Sequence, residues 1–109
     1  MSMIEVAKTQ LAPEDHVVKS YRAIRDRKEG FLVFSNHKLM FIAEEGLFRK
    51  KFQVILEVDY DEVESVFIQA SHRLGVTEKN GLTHAFTSFG NVTANLIKND
   101  TQELMAREK

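Results

Sequence analysis

The sequence predicts a mainly β domain of the α+β type, a seven-stranded antiparallel barrel capped by a C-terminal helix and preceded by a short N-terminal helix. Three observations carry this reading. Apolar and polar residues alternate with period two, in short runs, from Val17 to Phe89. Polar turn segments, Asn80-Gly81 the strongest of them, separate those runs. Helical spacing returns only after Asn91, through Val92, Leu96, Ile97, Leu104 and Met105. Antiparallel strands in this number expose edges unless the sheet curls and closes, and a terminal helix can plug one open end.

Each element follows from its own residues. Ser2 and Glu5 stand at capping-box spacing, and Met3, Ile4, Ala7 and Leu11 recur at helical intervals, which predicts a short helix ended near Pro13. So short a helix depends on packing, so its stripe must dock on this domain, on a partner or second copy, or weakly on a membrane. Val17 to Ile24 alternate and predict the first strand, which runs into the polar segment Arg25-Asp26-Arg27-Lys28-Glu29-Gly30. Phe31-Leu32-Val33-Phe34 and Leu39-Met40-Phe41-Ile42-Ala43 are apolar on both faces and predict central, well-covered strands. Glu44-Glu45-Gly46 connects them to a fourth strand, where Phe52, Val54, Leu56, Val58 and Tyr60 form one inward face. Asp61-Glu62 breaks that strand; Val63 to Ile68, Leu74 to Thr77 and Leu82 to Phe89 predict the remaining three. Asn91 is the expected N-cap of the last helix, whose apolar stripe Thr93 and Asp100 interrupt. Phe34, Phe41, Val54, Leu56, Val66, Ile68, Phe86, Ile97 and Leu104 are expected in one core.

The length of 109 residues suits one domain, divided as a helical extension over 1–13, the barrel over 14–90 and the final helix over 91–108. With 43% hydrophobic and 28% charged residues, the composition excludes a disordered or fibrous chain. Fifteen basic against sixteen acidic residues leave a net charge of −1, so nucleic acid is not an expected partner. Cysteine is absent, which removes disulfides, thiolate zinc sites and cysteine nucleophiles. No apolar run approaches the ~20 residues that span a bilayer, and Met1 to Glu5 does not read as a secretory leader. The expected location is the cytoplasm, with peripheral membrane contact as an alternative.

No constellation points to catalysis. His16, His37, His72 and His84 lack zincin spacing, and the acidic run Asp59, Asp61, Glu62 and Glu64 falls at a strand break, where solvated carboxylates belong. Ser65 and Ser88 lack the glycines of a nucleophile elbow, and Gly75, Gly81 and Gly90 are too dispersed to cradle phosphate. No enzyme activity, cofactor or metal is therefore expected. Two basic clusters stand out: Arg25, Arg27 and Lys28 in the first hairpin, and Arg49, Lys50 and Lys51 before the fourth strand. They are the candidate contacts for an anion or lipid headgroup. The stripe of Met3, Ile4, Ala7 and Leu11 is the candidate surface for a protein partner or for self-association.

Three segments resemble a known family in order along the chain. Phe31-Leu32-Val33-Phe34-Ser35-Asn36-His37-Lys38-Leu39 is similar to the "apolar, apolar, T/S-N-x-R/K-L" signature of GRAM-like and bacterial pleckstrin-homology (PH)-like domains. Val58-Asp59-Tyr60-Asp61-Glu62-Val63-Glu64-Ser65-Val66 resembles their "I-x-Y-x-D/E-I-x-S-V" segment, and Gly81-Leu82-Thr83-His84-Ala85-Phe86 their "G-x-x-H-x-F" hairpin. Ser35 and Lys38 stand where the family usually has Thr and Arg. The resemblance covers residues 14–108 and implies the PH superfold in a non-enzymatic binding or scaffold module. The expected function is protein–protein contact or homo-oligomer formation. Its alternative is peripheral binding to anionic lipid or phosphoinositide headgroups through the basic hairpins.

Overall fold

The computed structural model describes residues 2–70 and 72–108. Helix α1 (Met3–Lys8) is capped by Ser2, whose hydroxyl accepts the Glu5 N–H at 3.2 Å. Four strands then form an antiparallel meander: β1 (Val17–Arg25), β2 (Lys28–Ser35), β3 (Lys38–Glu45) and β4 (Lys51–Asp59). A single 3₁₀ turn at Tyr60–Glu62 leads to β5 (Val63–Gln69), β6 (Arg73–Glu78) and β7 (Thr83–Phe86), which form a second, three-stranded antiparallel sheet. Helix α2 (Ala94–Glu108) ends the chain.

Of the predicted seven-stranded antiparallel barrel with its two helices, the structure shows seven strands in two antiparallel sheets, of four and three strands, rather than one closed barrel. The chain leaves the first sheet at Tyr60, whose N–H bonds the His37 carbonyl at 2.9 Å and whose hydroxyl bonds the Ser35 carbonyl at 2.6 Å. At one corner the sheets are joined: Ile24 and Thr87 exchange backbone hydrogen bonds of 2.8 and 3.0 Å.

Two apolar clusters hold this arrangement. The larger lies between the sheets and under α2, and includes Leu32, Phe34, Phe41, Leu74, Phe86, Ile97 and Leu104. The smaller lies on the outer face of the first sheet, where Val33, Met40 and Ile42 pack against Ala7 of α1, with Met3, Val6 and Leu11 around it. β2 and β3 are therefore apolar on both faces because each face has its own cover.

Two sequence expectations are corrected here. Val54 lies in the outer cluster, not in the inter-sheet core. Phe41 pairs with Leu56 but Ile42 pairs with Val54, so Ile55 is an extra residue in β4. Such a bulge reverses the phase of the side chains, sending Phe52 and Val54 outward while Ile55, Leu56 and Val58 pack inward. The second correction concerns α2, which begins at Ala94 with Thr93 as the cap: its hydroxyl accepts the Leu96 N–H at 3.2 Å. Asn91 lies upstream of the cap.

Asp100, an interruption in the stripe of α2, ties that helix to β1. It accepts the Tyr21 hydroxyl at 2.6 Å and lies 3.0 Å from Lys19 Nζ. The Tyr21 bond, with help from Lys19, holds the Asp100 carboxyl below its ordinary value of 3.8 against an opposing contribution from burial. Burial, then the bond to Asp100, pushes the Tyr21 hydroxyl above its ordinary range. A carboxyl depressed in the folded state stabilises fully above its unfolded pKa, and that stabilisation is lost as pH falls through the folded value. Tyr21→Phe is expected to cost about 1–2 kcal/mol near pH 7 and to flatten the acid limb of stability. Urea titrations at neutral and acidic pH check both; an unchanged acid limb would discount the clamp.

Candidate functional site

The β1–β2 connection is a two-residue turn at Asp26 and Arg27, whose φ values of 51° and 66° match the twist of the flanking strands. In a four-stranded meander this turn and the β3–β4 loop lie at the same end. Register confirms it: Arg25 pairs with Lys28, Lys28 Nζ lies 3.9 Å from Glu45, and Glu45 pairs with Lys51. Both predicted basic clusters therefore stand at one end of the first sheet.

They are not equivalent there. Arg25 is partly withdrawn, with Nη1 3.6 Å from Asp26 and Nη2 3.4 Å from His84 Nδ1. His84 is buried and its Nε2 meets Glu78 at 2.7 Å, so an Nε2–H tautomer satisfies both neighbours. Lys28 and Lys50 reach Glu45 and Glu44 at 3.9 and 4.0 Å, and Arg22 reaches Glu44 at 3.6 Å while lying 5.1 Å over the Phe31 ring. All three pairs are long, and the Lys28–Glu45 pair is exposed on both sides, so an incoming anion can displace it at little cost; Glu44 is largely covered and its two pairs are exposed only on the basic side. Arg27, Arg49 and Lys51 are exposed and form no ion pair among the described residues.

The β3–β4 loop also carries two side chains absent from the sequence-based candidates. Leu47 is 92% exposed and Phe48 99% exposed, directly before Arg49, Lys50 and Lys51. Gly46 closes this loop with φ 102°, and a Cβ there would overlap the Arg49 carbonyl oxygen. The sequence signal was an apolar pair between a glycine and a basic triplet, outside any alternating run.

The N-terminal stripe is occupied differently. Ala7 is fully buried against the first sheet, with Met3 and Leu11 packed beside it. Ile4 and Leu11 line a groove of about 590 Å³ with Lys8, Pro13, His16 and Val17. The docking alternative on this domain accounts for most of the stripe.

The Ser35-Asn36-His37-Lys38 motif builds a turn. Ser35 Oγ donates to the buried Asp15 carboxylate at 2.8 Å and accepts the N–H groups of His37 and Lys38 at 3.2 and 3.1 Å. Asp15 also accepts the N–H groups of Asn36 and His16 at 2.9 and 2.8 Å. The Lys38 ammonium bonds the Gln10 carbonyl at 3.0 Å and Glu57 at 3.1 Å. Nothing in the sequence spacing marked Asp15. Asp59, Asp61, Glu62 and Glu64 are exposed, and the described residues place no group of three or more His, Asp or Glu to hold a metal. Among the described residues, no helix is long and apolar enough to cross a membrane.

No family model matches the chain, and no curated protein matches its sequence. Among solved structures, the chain is similar to the crystal structure of the C-terminal domain of an unknown protein from Leishmania infantum. The TM-score is 0.66 at 15% identity, over 84% of this chain and 85% of that one. At that identity the likeness concerns the fold alone. The class defined is a mainly β domain of two antiparallel sheets with a terminal helix.

Proposed function

We propose that the chain is a PH-like, non-enzymatic binding module that docks on anionic membrane surfaces with the β1–β2 and β3–β4 end of its first sheet. The family-like segments fall at the β2–β3 turn, the 3₁₀ turn and the β6–β7 hairpin, in keeping with that superfold. The observation that carries the function is the meeting of two basic hairpins at one sheet end, with Arg27, Arg49 and Lys51 exposed. Each basic residue near an anionic leaflet contributes about 1 kcal/mol, so a cluster of this size supports reversible attachment. Protein or self-association through Met3, Ile4, Ala7 and Leu11 is the weaker reading, because the chain's own sheet covers much of that stripe.

Liposome flotation tests the proposal. The wild-type chain is expected to float with anionic vesicles at low salt and to detach as salt rises, since exposed charge attraction is screened over about 8–10 Å. Lys50→Glu with Lys51→Glu is expected to abolish flotation while leaving the thermal midpoint nearly unchanged. Failure of the wild type to float at low salt would overturn the membrane reading.

A further inference from the structure

Leu47 and Phe48 have no structural role that explains them. Both side chains stand almost wholly in water, 92% and 99% exposed, well beyond Leu82, Leu96 and Val18 at 58%, 49% and 38%, while most other large apolar groups lie in or against two clusters. The loop that holds them is shaped by the positive φ of Gly46 and by the close approach of that residue to the Arg49 carbonyl. Arg49, Lys50 and Lys51 follow without a break, and the Arg27 turn lies at the same sheet end. An apolar pair at a loop tip with a basic collar is the order a bilayer surface presents in reverse: acyl chains within, anionic headgroups around them.

We infer that Leu47 and Phe48 form a wedge that enters the acyl boundary of an anionic bilayer while Arg49, Lys50 and Lys51 engage the headgroups. The inference rests on the membrane-docking reading above and adds insertion to it. Area decides against a protein occupant. Two side chains of this kind offer about 300–400 Å², roughly half of the about 800 Å² per partner that a standard protein interface buries. A bilayer requires no such area, because insertion of a few apolar groups combines with charge attraction to hold a protein reversibly.

The chain contains no tryptophan, so Phe48→Trp places a single indole reporter at the loop tip of the 109-residue chain. With phosphatidylserine-containing vesicles its emission is expected to shift to the blue and to be quenched by lipids brominated on the acyl chain. Pure phosphatidylcholine vesicles are expected to give neither effect. Leu47→Asp with Phe48→Asp is expected to weaken vesicle binding by about tenfold or more, with an unchanged thermal midpoint. Vesicle binding without blue shift or quenching would overturn the wedge and leave electrostatic docking standing. Absence of wild-type binding to these vesicles would overturn both. A blue shift that grows with protein concentration in the absence of lipid would overturn the wedge in favour of a contact between copies.

Discussion

Phe41→Ala is expected to cost about 3–5 kcal/mol, read as a loss of unfolding free energy in urea titration. The ring is fully buried on the inner face of β3, and its centroid lies 5.8 Å from that of Phe86 on β7. The contact therefore joins the two sheets through side chains, away from the corner where Ile24 and Thr87 join them through backbone. Removing the ring leaves a cavity that β2 and β4 on either side of β3 are poorly placed to close, and it removes an aromatic pair worth about 0.5–1.5 kcal/mol more. A domain of this size has about 5–15 kcal/mol in total, so the variant should stand close to unfolding. Phe86→Ala removes the same pair from the other side. The double variant is expected to cost less than the sum of the single ones, because the pair is lost only once. Simple additivity would show that the two rings do not couple the sheets.

The strands were legible because their signals are local. Phe31 to Phe34 and Leu39 to Ala43 are apolar on consecutive positions, which a strand tolerates only with both faces covered, and both faces are covered. The division into two sheets was not legible, because it depends on which strands bond rather than on where strands occur. The turn at Tyr60–Glu62 marked a break but not a change of sheet. The bulge at Ile55 had a signal that alternation alone discards: an apolar residue in the polar phase of β4. The basic residues of the candidate site were legible as residue types, and their shared end of the sheet follows from the meander. Their inequality was not legible. Arg25 is drawn toward His84, a residue 59 positions away, and only the folded chain brings the two together. Leu47 and Phe48 were missed for a related reason, since an apolar pair reads as buried until the structure leaves it in water.

Gly30→Ala is expected to be as severe as a core truncation, about 3 kcal/mol or more, although it adds only one methyl group. Gly30 sits in β2 between Ala43 of β3 and Ala23 of β1, flanked by a strand on each side, two residues from the start of β2. A Cβ there would overlap the Ile42 carbonyl oxygen and come within 2.9 Å of Ala43 Cα. Both are backbone atoms of a central strand whose two faces are packed, so neither can retreat without shifting β3 against both apolar clusters. Gly75 gives the control. The nearest atoms to a Cβ at that position belong to the far edge of the Phe67 ring, a half-buried side chain able to rotate away, so Gly75→Ala is expected to cost less. The comparison separates close backbone approach from the general cost of replacing a strand glycine, because both substitutions lower unfolded-state entropy in the same way. Equal and small losses at both positions, under about 1 kcal/mol, would mean that β2 and β3 run farther apart at Gly30 than the structure places them. The same shift should reach the function: Lys28 and Glu45 lie just beyond Gly30 and Ala43 at the basic end of the sheet. Gly30→Ala is therefore expected to lower anionic-vesicle binding as well as stability, whereas Gly75→Ala should leave vesicle binding intact.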